Sequence, residues 1–457
     1  MEEQASQRLP AVEARGSGGG RISTAGINRL PPFVRNLMTV MRGVVAAQVT
    51  MLLALPILTR LFPPQAFGLF QVFQSVLTVG LCVASFRYEI AIVTARSAKE
   101  VRTLVTMCVW LNIVVAVVVA VAAAIMLTLR IPALLPFHDL IIAAPIYFLF
   151  AGLLQTLSYA AISDGAFGLT SASKAVQVVV YAVIAIALGN GHYAIAVSLA
   201  LADASSRLFA AYFLYRQGPR TLMPLNLRTL ASLRLAAVRH RNFPLLSMPT
   251  ALINSAGGMI TPFLVLIWFG AAATGQFALL ERTAGMAIGA IGGAVSQVFM
   301  NAFARTLRAS PRDAHALFRR VCDLHLKLGF IPTIVLAALG PWIFATVFGE
   351  QWRQAGVFAR YSAPYLLSMF VAAPVTLTLV LIRQQRAQLV WDTARLIGVV
   401  SVWTLAGLRR WDIETAVALH ATVGCAIYIF YIWLTDHALR KVAGAAPTAT
   451  PELVNHA

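Results

Sequence analysis

Long apolar runs alternate with short arginine-bearing connections along the whole chain. The runs fall at 37–60, 68–92, 103–128, 139–160, 171–188, 193–214, 244–268, 275–304, 325–347, 355–382, 387–406 and 414–435. Each is about the length that crosses a hydrocarbon core of ~30 Å as a helix. Lipid offers the backbone no hydrogen-bond partners, so only helices or closed barrels can span it. Barrel strands would read as ~10-residue alternating segments, and none appears. The pattern predicts an all-α polytopic membrane protein of about twelve transmembrane helices. Residues 1–35 are polar, with GSGGG at 16–20, and read as a disordered cytoplasmic tail. The connection near 215–243 is the long exception, an amphipathic, arginine-rich segment suited to the membrane surface. The expected division is a tail (1–35), a six-helix bundle (36–215), a cytoplasmic linker (216–243), a second six-helix bundle (244–437) and a tail (438–457).

The arginines set the orientation, since basic residues concentrate on the cytoplasmic side. One face carries Arg8, Arg15, Arg21, Arg29, Arg35 and Arg42, then Arg96, Lys99 and Arg102. The linker adds Arg216, Arg220, Arg228, Arg234, Arg239 and Arg241, followed by Arg305, Arg308, Arg312, Arg319 and Arg320, Arg383 and Arg386, Arg440 and Lys441. The other face holds only Arg130, Arg353, Arg409 and Arg410. This sorting requires an even number of spans between clusters and puts both termini in the cytoplasm.

A faint repeat crosses the two halves. LFPPQAFGLFQVF (61–73) and WFGAAATGQFALL (268–280) align Phe62, Gly68 and Phe70 with Phe269, Gly275 and Phe277 at a constant offset of 207. Six spans separate them, so the halves are expected to be parallel repeats about an axis along the membrane normal.

Composition agrees. The chain of 457 residues is 59% hydrophobic and 12% charged, too few charges to cover soluble domains of that length. The net charge of +19 would suggest nucleic acid in a soluble protein. Here its placement in loops assigns it to topology and to anionic headgroups. Cys82, Cys108, Cys322 and Cys425 are scattered without metal-ligand spacing and read as reduced thiols. The polar, acidic N-terminus is unlike a cleaved signal peptide. No nucleotide loop, zinc-protease motif or nucleophile elbow occurs in a fitting context, and no cofactor or metal is expected.

Ionisable groups at membrane depth are costly and mark candidate sites. Asp203 and Arg207 in the sixth segment are spaced i,i+4 and can pair; they read equally as a self-neutralised structural pair or as a cavity pair that exchanges partners. Asp392 and Arg395 repeat the theme at i,i+3 with the same two readings. Arg87 and Glu89, in FRYEIAI (86–92), lie two positions apart on a helix and are expected not to neutralise each other; Arg87 suits a phosphate and Glu89 a structural role. Glu281 and Arg282 are adjacent and point in different directions. Lys174 lacks a local partner, and either snorkels or binds an anion. His420 and Asn254 read as helix–helix hydrogen bonds, and His325 with Lys327 as headgroup-level residues. Prolines 56, 145, 249, 262, 332, 341, 364 and 374 permit bending or are ordinary kinks.

PILTRLFPPQAFGLF (56–70), FRYEIAI at the end of the second segment and KEVRTLV (99–105) resemble the polysaccharide-transporter family of the MOP flippase superfamily, which includes the Wzx-type O-antigen and exopolysaccharide flippases. The motif resemblance covers about the first hundred residues, and topology sustains it further on. It implies a V-shaped, MATE-like pair of bundles around a cationic cavity in the bacterial inner membrane. It also implies alternating access to an undecaprenyl-pyrophosphate-linked oligosaccharide repeat unit for O-antigen, capsule or exopolysaccharide synthesis, beside a polymerase and a chain-length regulator. The pyrophosphate needs cations along its path: Arg87, Lys174, Arg207, Arg282 and Arg395. The family match itself carries over only to Arg87 and Glu89. Proton or sodium coupling is left to Asp203 and Glu281, with Glu89 and Asp392 as further acids. Competing readings are a multidrug or lipid II exporter of the same superfamily, the latter with two more spans, and a membrane polymerase or ligase. The short outer loops disfavour the enzyme.

Overall fold

The computed structural model describes residues 32–191, 193–218 and 230–445. The expected tail through residue 31, linker residues 219–229 with Arg220 and Arg228, and residues 446–457 lie outside it. All regular structure among the described residues is helical. The helices are α1 (Pro32–Leu61), α2 (Pro64–Ala84), α3 (Tyr88–Thr94), α4 (Ala98–Leu129), α5 (His138–Ser163), α6 (Phe167–Asn190) and α7 (Ala196–Gln217). After the linker come α8 (Leu230–Arg239), α9 (Met248–Ala309), α10 (Pro311–Phe348), α11 (Arg353–Ala372), α12 (Thr378–Leu381), α13 (Gln385–Leu408) and α14 (Ile413–Ala445). Every predicted apolar segment falls on this series. Ten of the helical stretches are long and apolar enough to cross a membrane; Phe243–Ala309 counts among them once, and Val45–Leu61 is shorter. Gly270, at φ 83°, divides α9 into two arms.

Local chemistry explains the ends. Pro64 opens α2 and Pro311 opens α10, where a missing N–H costs nothing. Ser97 and Ser310 accept from the backbone N–H groups of Glu100 and Asp313 and cap α4 and α10. Asp412 does the same for α14, and the Thr415 backbone N–H and hydroxyl hold its carboxyl below the ordinary carboxylate range.

Three expectations change. The second apolar segment is not one helix: Phe86 and Arg87 take left-handed backbone conformations between α2 and α3. Residues 438–445, read as tail, continue α14, because Leu439 and Ala443 remain buried against it. His325 lies within α10 rather than at its start, buried against Phe370 with its Nδ1 at 3.0 Å from the Val321 carbonyl. Lys327 is exposed and pairs with Asp323 at 2.6 Å.

Apolar side chains such as Leu53, Ile253 and Ile331 are exposed around the outside, as a lipid-facing surface requires. The interior core runs through both halves, joining Leu55, Phe62 and Phe67 to Phe277, Phe344 and Trp352. The halves meet chiefly where α2 crosses α9. A Cβ on Gly68 would collide with the Ala271 carbonyl oxygen and lie 2.8 Å from Gly275 N. A Cβ on Gly275 would collide with the Pro64 carbonyl oxygen and lie 3.1 Å from Gly68 N. Adding 207 converts the first set of contacts into the second. The same shift converts the approach of Gln48 to Gly289 into that of Cys82 to Ser255, whose side chains are 3.3 Å apart. The repeated segments therefore face each other across a pseudo-twofold axis. Contact pairs that interchange under one shift are the mark of an isologous interface. At the C-terminal end of α1, Gln351 and Trp352 both donate to the Thr59 carbonyl at 2.7 Å, and Arg60 donates to Thr346 O at 3.2 Å.

Candidate functional site at the seam between the halves

The second half of α2, the middle of α7 and the second arm of α9 bring polar groups together beside this crossing. Asp203 is buried and accepts from four side chains: the Tyr147 hydroxyl, Gln74 Nε2 at 3.0 Å, and Arg207 through Nη2 at 3.0 Å and Nε at 3.2 Å, with Ser206 more distant at 3.5 Å. One helical turn separates Asp203 from Arg207, which places both on one face. The Arg207 guanidinium also lies over the Tyr147 ring, 4.9 Å from its centroid, a cation–π contact.

Arg282 joins from the other half. Its Nη2 donates to Gln74 Oε1 at 3.3 Å, so Gln74 bridges Asp203 of the first half and Arg282 of the second. Arg282 Nη1 is buried without a hydrogen-bond partner among the described residues. Two guanidiniums thus share one carboxylate, leaving net positive charge; the Tyr181 hydroxyl, itself buried without a hydrogen bond of good geometry, lies beside Arg282. A buried donor without a partner is costly, and an anion with several oxygens would satisfy it.

The other predicted residues are placed apart. Glu281 is exposed and makes no ion pair among the described residues. Arg395 is half-exposed, lies 5.2 Å over the Trp391 ring and reaches Asp392 at 3.9 Å, a loose pairing. Gln388 also donates to Asp392 at 3.2 Å. His420 packs among the rings of Phe277, Tyr365 and Trp403; ring packing, where a hydrogen bond between helices was expected, is what the structure shows. Lys174 is exposed on α6, with no ion pair among the described residues.

The reading that Arg87 and Glu89 could not neutralise each other is corrected. It assumed continuous helix, in which i and i+2 diverge; the left-handed backbone at Arg87 turns its side chain back, and Nη1 lies 3.5 Å from Glu89 Oε1. Glu89 is fully buried and also accepts from Ser85 and from Gln155 at 2.9 Å. This pair sits more than ten residues inward of Gln74, about 15 Å or more at 1.5 Å per residue.

Gln74 and Tyr147 were missed because neither carries a charge at neutral pH. The repeat held a signal for the first: Gln74 corresponds to Glu281 at the offset of 207.

A family model described as polysaccharide biosynthesis protein matches residues 57–357. Among solved structures, the chain is similar to an inward-facing multidrug resistance MATE family transporter of the MOP superfamily, with 11% identity, TM-score 0.59, and coverage of 89% of this chain and 96% of that one. It is similar to the lipid II flippase MurJ in an inward closed conformation, with 8% identity, TM-score 0.63 and 90% of each chain covered. A MOP superfamily transporter from Pyrococcus furiosus matches at 13% identity and TM-score 0.52, over 92% of this chain and 100% of that one. At these identities the likeness is one of fold. No curated protein sequence matches.

Proposed function

Because this chain belongs to the polysaccharide biosynthesis protein family, we propose that it flips an undecaprenyl-pyrophosphate-linked oligosaccharide across the bacterial inner membrane by alternating access. The observation that carries the reading is the shared charge at the seam. Arg207 and Arg282 come from different halves, meet through Gln74, and have one carboxylate between them. A pyrophosphate entering between the halves would take the free Arg282 donor and loosen the contact that joins them. Binding a ligand in one arrangement better than in the other is what shifts such an equilibrium. In this reading Arg395, Lys174 and Arg87 are further cations for the pyrophosphate away from the seam. Asp203 and Glu281 are the acids placed for exchange with protons or sodium. Both termini face the cytoplasm in this reading, and a polymerase and chain-length regulator act on the product.

The fold alone suits a multidrug or lipid II exporter equally well. The family assignment favours a polysaccharide precursor. A polymerase or ligase would need a reactive constellation outside the membrane, and the outer connections, such as 62–63 and 409–412, are too short to build one.

Cells lacking the protein are expected to accumulate lipid-linked repeat units on the cytoplasmic leaflet. The wild-type gene should clear them, and Arg282→Ala should not, although it reaches the membrane. An unchanged leaflet distribution in the deletion strain would end the proposal. Alternation can be tested at Cys82. Ser255→Cys places a second thiol across the seam, close enough for a disulfide. Oxidation of that variant should reduce flipping at least tenfold, reductant should restore it, and Cys82→Ser/Ser255→Cys should not respond. Full activity of the cross-linked protein would show that the halves need not part there.

A further inference from the structure

The two halves fill equivalent space differently. In the first half, Phe73 on α2 and Phe148 on α5 pack toward Leu77 and Gly80 in the core. At the repeat offset of 207, Phe73, Leu77 and Gly80 become Leu280, Ala284 and Ala287, and the facing helix α11 offers Leu366. In the second half they line a cavity of about 550 Å³ between α9, α10 and α11. Its volume is in the range of ligand pockets, and no charged residue lines it. The same fold therefore closes this space with aromatic rings on one side of the pseudo-axis and leaves it hollow on the other.

The mouth of the cavity identifies the occupant. Leu52 of α1, Ile291 of α9 and Leu328 of α10 are exposed at its rim, so its mouth is open and apolar. Leu52 lies one turn outward of Gln48, which faces Gly289 at the seam. On α9 the cavity positions Ala284, Ala287 and Ile291 fall on the face opposite Arg282 at 100° per residue. A lipid whose anionic head sat at Arg282 would send its chain out between α1 and α9, where the cavity opens.

We infer that this hollow holds part of the apolar chain of the translocated lipid, a polyprenyl chain on the reading above, on which the inference rests. The chain's section in the cavity restores the packing that Phe73 and Phe148 supply in the other half. Chain length thereby becomes part of recognition, beside the charge of the head.

The test fills the cavity with the residues the first half uses. Ala284→Leu/Leu366→Phe, or Leu366→Phe alone should the pair not assemble, is measured for thermal unfolding and for binding of long-chain polyprenyl phosphate against geranyl phosphate and phosphatidylglycerol. Wild type should prefer the long polyprenyl phosphate at least tenfold over either. The filled variants should unfold at or above the wild-type temperature and lose that preference about tenfold, with geranyl phosphate binding unchanged. A filled variant that keeps the preference overturns the inference and leaves the flippase reading standing. Wild-type protein that binds polyprenyl phosphate no better than phosphatidylglycerol overturns both.

Discussion

Asp203→Ala is expected to lower unfolding stability by about 3 kcal/mol, the lower end of the 3–5 kcal/mol range for removing one partner of a buried ion pair. The lower end applies because the Arg207 side chain keeps 22% exposure and is not wholly desolvated when it loses its carboxylate. The loss extends beyond Arg207. Tyr147 and Gln74 Nε2 also donate to Asp203, and each would be left without its acceptor, a cost of about 1–3 kcal/mol for a buried group if unrelieved. Asp203→Asn keeps an acceptor oxygen for Tyr147 or Gln74 and should cost less than alanine. Asp203→Ala/Arg207→Met removes both charges and should recover more than half the lost stability, since an ion pair replaced by apolar groups is often neutral. That double variant should still fail to clear lipid-linked precursors from the inner leaflet. Thermal unfolding in detergent separates the cases: equal stability of the single and double variants would mean that Arg207 does not depend on Asp203.

The helical membrane fold was legible because the bilayer imposes it. The apolar runs answer to lipid thickness, which acts on composition alone. The Asp203–Arg207 pair was legible for a similar reason, since i,i+4 spacing is local. Arg87 and Glu89 misled because spacing predicts direction only while the backbone stays helical, and nothing in FRYE announces a left-handed arginine. Gln74 stayed hidden because its importance comes from Arg282, 208 residues away and in the other half. Contacts of that kind follow from how the halves cross. The crossing was foreshadowed only by the matched glycines of a three-residue repeat.

Those glycines give the second large effect. Gly68→Ala and Gly275→Ala should each destabilise by about 3 kcal/mol, the upper part of the 1–3 kcal/mol typical of overpacking. At both positions the new methyl meets a backbone carbonyl, of Ala271 or of Pro64, rather than a side chain that could turn aside. The gain in helix propensity, about 0.5–1 kcal/mol for Gly→Ala, is too small to offset this. Gly285→Ala on the same arm of α9 meets nothing within 4 Å and should be neutral or slightly stabilising. The pseudo-twofold adds a sharper expectation. Moving the halves apart once relieves both collisions, so Gly68→Ala/Gly275→Ala should cost clearly less than the sum of the single variants, a non-additivity proper to sites in direct contact. Unfolding of the four proteins tests this as a double-mutant cycle. Strict additivity would mean that the two glycines are accommodated separately and that the seam does not move as one body; wild-type stability of both single variants would mean that the helices do not cross this closely.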